Sequence, residues 1–264
     1  PQILNLHIDN LQLLDFLDRL EGGIVFTPNV DHLMKLQREE EFYQAYQMAD
    51  YTLCDSRIVQ AISGWLTKEP IVEQLAGSDV FPAYCAHVSP DPDIRIFLLG
   101  GTTPTSVEMA REKLNQIAGR ELIVGGYAPP FGFEKEKSQN AYIRNLIHES
   151  KANVLAVGVG APKQEIWIAE HHRYLSGVKL CWAIGATIDF LSGQQDRAPA
   201  WISRIGLEWA YRLLKEPKRL FRRYLIEDLP FFRLILQQKR GRYRNPWASV
   251  PSKNHEPPLQ NPKD

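Results

Sequence analysis

The chain has 264 residues, 44% hydrophobic and 23% charged, which suits one large α/β domain or a domain with an appendage. Its formal net charge is zero, and no apolar run approaches the ~20 residues of a membrane-spanning helix; the longest, LPFFRLIL at 229–236, is short and carries Arg233. The opening PQILNLHIDN lacks the basic start and apolar stretch of a secretory leader, so the expectation is a cytoplasmic protein.

In chain order, short apolar runs alternate with longer amphipathic ones. Strands are predicted at 23–29, 50–55, 94–101, 121–127, 153–160 and 180–187. Helices are predicted at 31–48, 57–66, 78–87, 104–118, 135–149 and 163–175. Strict alternation of this kind, with strands apolar on both sides, predicts an α/β fold: a Rossmann-like parallel sheet with helices on both faces. Past residue 200 the pattern changes to two helices, 201–215 and 217–240, with Pro217 suited to the first turn of the second. Residues 245–264, rich in Pro, Asn and Lys, read as a disordered tail. The expected division is a nucleotide-binding core at 1–200, a helical basic C-terminal appendage at 201–244 and the tail.

The zero net charge hides an asymmetry. Residues 201–244 hold 12 Lys or Arg against 4 Asp or Glu, so the first 200 residues carry the balancing acidic excess. A basic appendage on an acidic body points to an anionic partner: a membrane surface, nucleic acid or a phosphorylated substrate. RLFRRYLIEDLPFFRLIL at 219–236 interleaves Arg with Phe, Leu and Tyr, as a helix lying in a membrane interface does.

In open parallel sheets, ligands bind outside the carboxyl ends of the strands. Here those ends are Thr27-Pro28-Asn29, Asp55-Ser56, Gly100-Gly101-Thr102, Gly158 to Gln164, and Gly185 to Asp189. An acid, an amide and several glycines gathered at one edge argue for a single site. Each also has a plainer reading. Thr27, Asn29 and Asp55 are good helix caps, and the glycines suit tight turns. Gly158-Val159-Gly160 begins like a dinucleotide loop, but Lys163 stands where the third glycine belongs, followed by Gln164 and Glu165. A cation in a first helical turn opposes the helix dipole, so Lys163 makes better sense with a phosphate beside it.

Other signals carry less. Asp91-Pro92-Asp93 matches a metal-binding Asp-x-Asp, but it precedes a strand and falls at the opposite edge of the sheet. His171-His172 reads as a solvated surface pair. Cys54, Cys85 and Cys181 are odd in number and far apart, which fits reduced core thiols.

The fragments TPNVDHL, LCDS, GSDV, LLGG, VGVGAPKQEIWI, AIGATIDFLSG, RAPAW and IGLEWAYRLLKEPKRLFRRY resemble the WecG/TagA/CpsF family of bacterial glycosyltransferases, in family order from about residue 24 to 225. The resemblance implies an inverting transferase that needs no metal. It would move N-acetylmannosamine or a related sugar from a UDP-sugar to a polyprenyl-diphosphate-linked acceptor in cell-surface polysaccharide synthesis. It also implies a peripheral place on the cytoplasmic membrane surface through residues 201–244, self-association in some members, and no nucleic-acid partner. By similarity Asp55 is the general base, Thr27 and Asn29 line the acceptor and sugar side, and Gln164 and Asp189 belong to the nucleotide-sugar pocket. Arg212, Arg219 and Arg222 match positions expected to meet the diphosphate. Gly100, Gly101, Gly158, Gly160, Lys163, Glu165 and Gly185 complete the expected substrate-binding set. One departure stands out: family members often follow the acid with glycines, whereas here Ser56-Arg57 follows Asp55, bulk and charge that would either narrow the acceptor site or change which sugar is accepted. The alternative class is a non-catalytic nucleotide-binding protein docking on membrane or nucleic acid through its basic tail.

Overall fold

The computed structural model describes residues 1–195, 211, 213–214 and 227–249. An antiparallel hairpin, β1 (Gln2–Ile3) and β2 (Leu6–His7), opens the chain, followed by α1 (Leu13–Arg19). Neither was expected, because two-residue strands leave no readable alternation. Six further strands form one parallel sheet: β3 (Gly23–Phe26), β4 (Tyr51–Thr52), β5 (Ile96–Gly100), β6 (Ile123–Tyr127), β7 (Val154–Gly158) and β8 (Leu180–Ala183), in the order β4-β3-β8-β7-β5-β6. This is the predicted Rossmann-like α/β architecture.

Alternate residues of the central strands feed two separate cores, as period-two geometry demands. Phe26, Leu99, Leu155, Val157 and Ala183 face one side, where they meet α2 (Val30–Lys35), α3 (Glu40–Tyr46), α4 (Arg57–Leu66), α7 (Lys137–Ser150) and α8 (Lys163–His171). Val25, Leu98, Ala156 and Trp182 face the other, against α1, α5 (Gly77–His87), α6 (Pro104–Ala118) and α9 (Thr187–Leu191). Local signals set the ends of α6. Thr103 and Ser106 form a reciprocal capping box, Pro104 sits in the first turn, and Gly119 closes the helix in the left-handed region at φ 68°.

Three stretches differ from the sequence expectation. The helix predicted at 31–48 is two helices, because Glu39 is extended between them and lets Phe42 and Tyr46 of α3 reach the same core as Leu33 and Met34 of α2. The strand predicted at 50–55 pairs only at 51–52, where β4 has β3 as its one neighbour. His171 is not solvated: it is buried and stacked on Trp167 with ring centroids 4.5 Å apart, and burial holds its pKa below the ordinary value.

The stretch read as appendage and tail is described only from 227 to 249, apart from residues 211, 213 and 214. Its helix α10 (Pro230–Lys239) lies on the core, burying Phe231 and Ile235. Gln238 donates to the carbonyl of Gln2 and accepts from the amide of Leu4, and Trp247 donates to the carbonyl of Leu36 at 2.7 Å. Packing thus continues across position 245. The two arginine-rich runs, with Arg212, Arg219, Arg222 and Pro217, lie outside the described residues.

Candidate active site

Adjacent strands β3 and β8 send the chain to opposite faces, into α2 and α9 respectively. That arrangement is a topological switch point, and in open parallel sheets the crevice outside the carboxyl edge at such a point is where ligands bind. Thr27–Asn29, Asp55, the two glycine loops after β7 and β8, and the loop after β5 all leave the sheet at this edge.

The capping question now has an answer. Asn29 is the N-cap of α2, its side-chain oxygen accepting from the amide of His32 at 3.2 Å. Its amide nitrogen also lies 3.4 Å from Oδ2 of Asp55, so one side chain both caps α2 and contacts that carboxyl. Asp55 is not the cap of α4; Ser56 accepts from the amide of Val59 and takes that role. The half-buried carboxyl of Asp55 therefore stands past the end of β4, and Gln74 fixes its backbone by donating to the Asp55 carbonyl at 2.7 Å. Arg57, which seemed set to crowd the acid, is exposed and donates to Gln60. Thr27 is buried and caps none of the described helices; a Cβ added at Gly77, the first residue of α5, would lie 3.3 Å from its hydroxyl.

The glycines divide into two kinds. A Cβ on Gly100 would fall 2.3 Å from the carbonyl oxygen of Gly158, and one on Gly158 would fall 2.7 Å from that of Gly185. These two permit neighbouring strand ends to touch. Gly101 is similarly hemmed in by Ser106 and Ile188. A Cβ on Gly160 or Gly185, at φ 82° and 56°, would meet nothing within 4 Å among the described residues. These two residues supply backbone turns that only glycine adopts cheaply, and they leave room in front of the loops.

Gln164 joins those two turns. Its Oε1 accepts from the amides of both Gly160 and Gly185, each at 3.2 Å, while its Nε2 donates to Glu165 Oε1 at 2.8 Å. Glu165 is completely buried, and its other oxygen has no hydrogen-bond partner among the described residues. Burial raises its carboxyl to about 7. Glu165 lies 3.9 Å from Nδ1 of His32, which is 2.7 Å from the hydroxyl of Tyr46. This buried group of His32, Tyr46 and Glu165 was missed in the sequence; its one signal was a Glu in a first helical turn behind a Pro that has no N–H to offer it.

Lys163 begins α8, and its ammonium lies 5.3 Å from the ring centroid of Phe131, a side chain 99% exposed at the same edge. Asp189 accepts from both the amide and the hydroxyl of Thr102, at 2.8 and 3.0 Å, tying the start of α9 to the loop after β5. Asp91 and Asp93 form an exposed turn before β5 at the far edge. No cluster of three or more His, Cys, Asp or Glu with metal-binding geometry occurs among the described residues. The three cysteines are buried and free, and burial pushes the Cys54 and Cys181 thiols up to about 12.

The family model for the glycosyl transferase WecG/TagA/CpsF family matches residues 1–245. The chain belongs to that family. It is a glycosyltransferase of cell-surface polysaccharide synthesis, a class that works between a sugar donor and a lipid-linked acceptor. The match runs through α10, in keeping with the packing of that helix on the core. No helix among the described residues is long and apolar enough to cross a membrane.

Proposed function

We propose that this glycosyltransferase moves N-acetylmannosamine, or a related sugar, from a UDP-sugar to a polyprenyl-diphosphate-linked acceptor sugar, with inversion and without a metal. In this reading the acceptor hydroxyl oxygen attacks the anomeric carbon, and the bond from that carbon to the diphosphate oxygen breaks. The hydroxyl proton passes to Asp55, and the charge left on UDP is met by Lys163 and by the family-matched arginines Arg212, Arg219 and Arg222. Arginine suits the task because its planar fork donates two hydrogen bonds to phosphate oxygens. The basic segment 201–244 would hold the enzyme on the inner face of the cell membrane, where a lipid-linked acceptor resides.

The observation that carries the reading is the placement of Asp55. It lies three residues past β4 at the carboxyl edge of the sheet, leaves the capping of α4 to Ser56, and is approached by the amide of Asn29. The test is incubation with a panel of UDP-sugars and a short-chain lipid-diphosphate acceptor, with and without EDTA, and product detection by mass. Transfer from a UDP-N-acetylhexosamine that survives EDTA supports the proposal. UDP binding without transfer to any acceptor would favour the non-catalytic alternative, and full inhibition by EDTA would overturn the metal-free mechanism.

A further inference from the structure

We propose that Glu165 is a positioning residue for donor binding, whose carboxyl holds the Gln164 amide in the one orientation that shapes both glycine turns. The inference rests on the reading that a UDP-sugar occupies the crevice in front of those turns.

The argument begins with donors and acceptors. The amide of Gln164 has one oxygen and one NH2 group, and exchanging them by rotation costs little in an isolated side chain. In the protein the oxygen faces two N–H donors, those of Gly160 and Gly185. Rotation would set the NH2 against both N–H groups, and the oxygen against the oxygen of Glu165. An acceptor on the far side is therefore what selects the working orientation, and Glu165 Oε1 at 2.8 Å is that acceptor.

Position in the helix explains why Glu165 is available. A Glu at the third position of a helix commonly reaches back to the N–H of the cap residue. Here the cap is Pro162, which has none, so Glu165 turns inward toward α2 and α3. There it faces His32, at 3.9 Å, with Tyr46 beyond it, while the Asp31–Lys35 ion pair lies on the same helix as His32. The result is a continuous line of contacts from Asp55 to the two glycine loops. Asp55 meets Asn29, Asn29 caps the helix that carries His32, His32 faces Glu165, and Glu165 sets Gln164 and the two glycine loops. Complete burial with a second oxygen that has no hydrogen-bond partner among the described residues is a costly place for a carboxyl group, and packing alone would be served better by an apolar side chain.

The test compares Glu165→Met, which keeps the volume but accepts no such bond, with Glu165→Gln, whose carbonyl still accepts. Two readouts are taken on the full chain: UDP affinity by calorimetry and amide hydrogen exchange at Gly160 and Gly185. Glu165→Met is expected to weaken UDP by about tenfold and to speed exchange at both glycines by at least about tenfold, the scale of one lost buried hydrogen bond. Glu165→Gln is expected to stay within about threefold of the parent on both counts, on the same scale. Unchanged exchange at Gly160 and Gly185 in Glu165→Met overturns the inference. So does equal loss in both variants. Should Glu165→Met fail to fold, Glu165→Gln decides alone, since rapid glycine exchange there contradicts the proposed role. If the parent protein itself does not bind UDP, the donor reading fails, while the exchange data still report on Glu165.

Discussion

The side-chain nitrogen of Asn29 lies 3.4 Å from Oδ2 of Asp55 while the oxygen of the same amide caps α2. A cap residue thereby holds the edge of the crevice and orients the proposed base. Serine separates the two duties, because it caps helices well but is too short to reach Asp55. Asn29→Ser should keep the urea midpoint of the parent and lower kcat about tenfold, the scale of one lost orienting hydrogen bond. Asn29→Ala should show the same kinetic loss and, in addition, about 1 kcal/mol of lost stability. Parental turnover by Asn29→Ser would leave the contact with Asp55 without a catalytic use.

Removing the base itself has a sharper signature. Asp55→Asn keeps the shape and can still contact Asn29, but it cannot take a proton at neutral pH. We expect kcat to fall by about 10²- to 10⁴-fold, the usual contribution of a general base. UDP affinity should stay within about twofold, because the nucleotide is read as lying across the crevice with Lys163. A variant that turns over normally excludes Asp55 as the base.

How much of this was legible beforehand differs from residue to residue. The sheet was readable because strands buried on both faces are apolar throughout, as in VLAVG at 154–158. The edge carrying the site followed from the parallel order alone. What periodicity did not resolve were roles at single positions: Asp55 read as a possible cap where Ser56 serves, and glycines read alike as tight turns where Gly100 and Gly158 allow close approach and Gly160 and Gly185 make open turns. Such choices depend on which atoms a side chain or Cβ meets across the fold, and periodicity carries no record of that. The same holds for Glu165, whose neighbour His32 lies far away in sequence and close only through the tertiary fold. His171 was misread for a related reason. Polar pairs on a helix suggest solvent, but the stacking on Trp167 is a tertiary contact.

Lys163 should act on the diphosphate and not on the base or sugar. Its ammonium rests over the exposed ring of Phe131, a weak contact that a phosphate readily outcompetes. Lys163→Gln should weaken UDP by about tenfold while leaving uridine affinity unchanged, and the loss should shrink as salt rises, because screening already removes part of the charge attraction. Titrations with UDP and uridine at low and high ionic strength check both parts. An equal loss for uridine would mean that Lys163 shapes the loop and does not meet phosphate.

The buried carboxyl of Glu165 makes stability depend on pH in an unusual direction. Burial raises its pKa from 4.5 to about 7, with Gln164 and Lys35 opposing the shift and Asp31 assisting it. Between those two values the folded protein holds a proton that the unfolded chain has released, so stability falls as pH rises through this window. The loss is absent below about 4.5 and complete above about 7. Its size is on the order of 3 kcal/mol. Glu165→Gln cannot ionise, so the difference in stability between variant and parent should be small at acid pH and should grow in favour of the variant toward pH 8. Urea midpoints measured for both proteins from acid to mildly alkaline pH give that difference directly. Curves that stay parallel across the range would show that Glu165 ionises over the same pH range folded and unfolded, against the raised value.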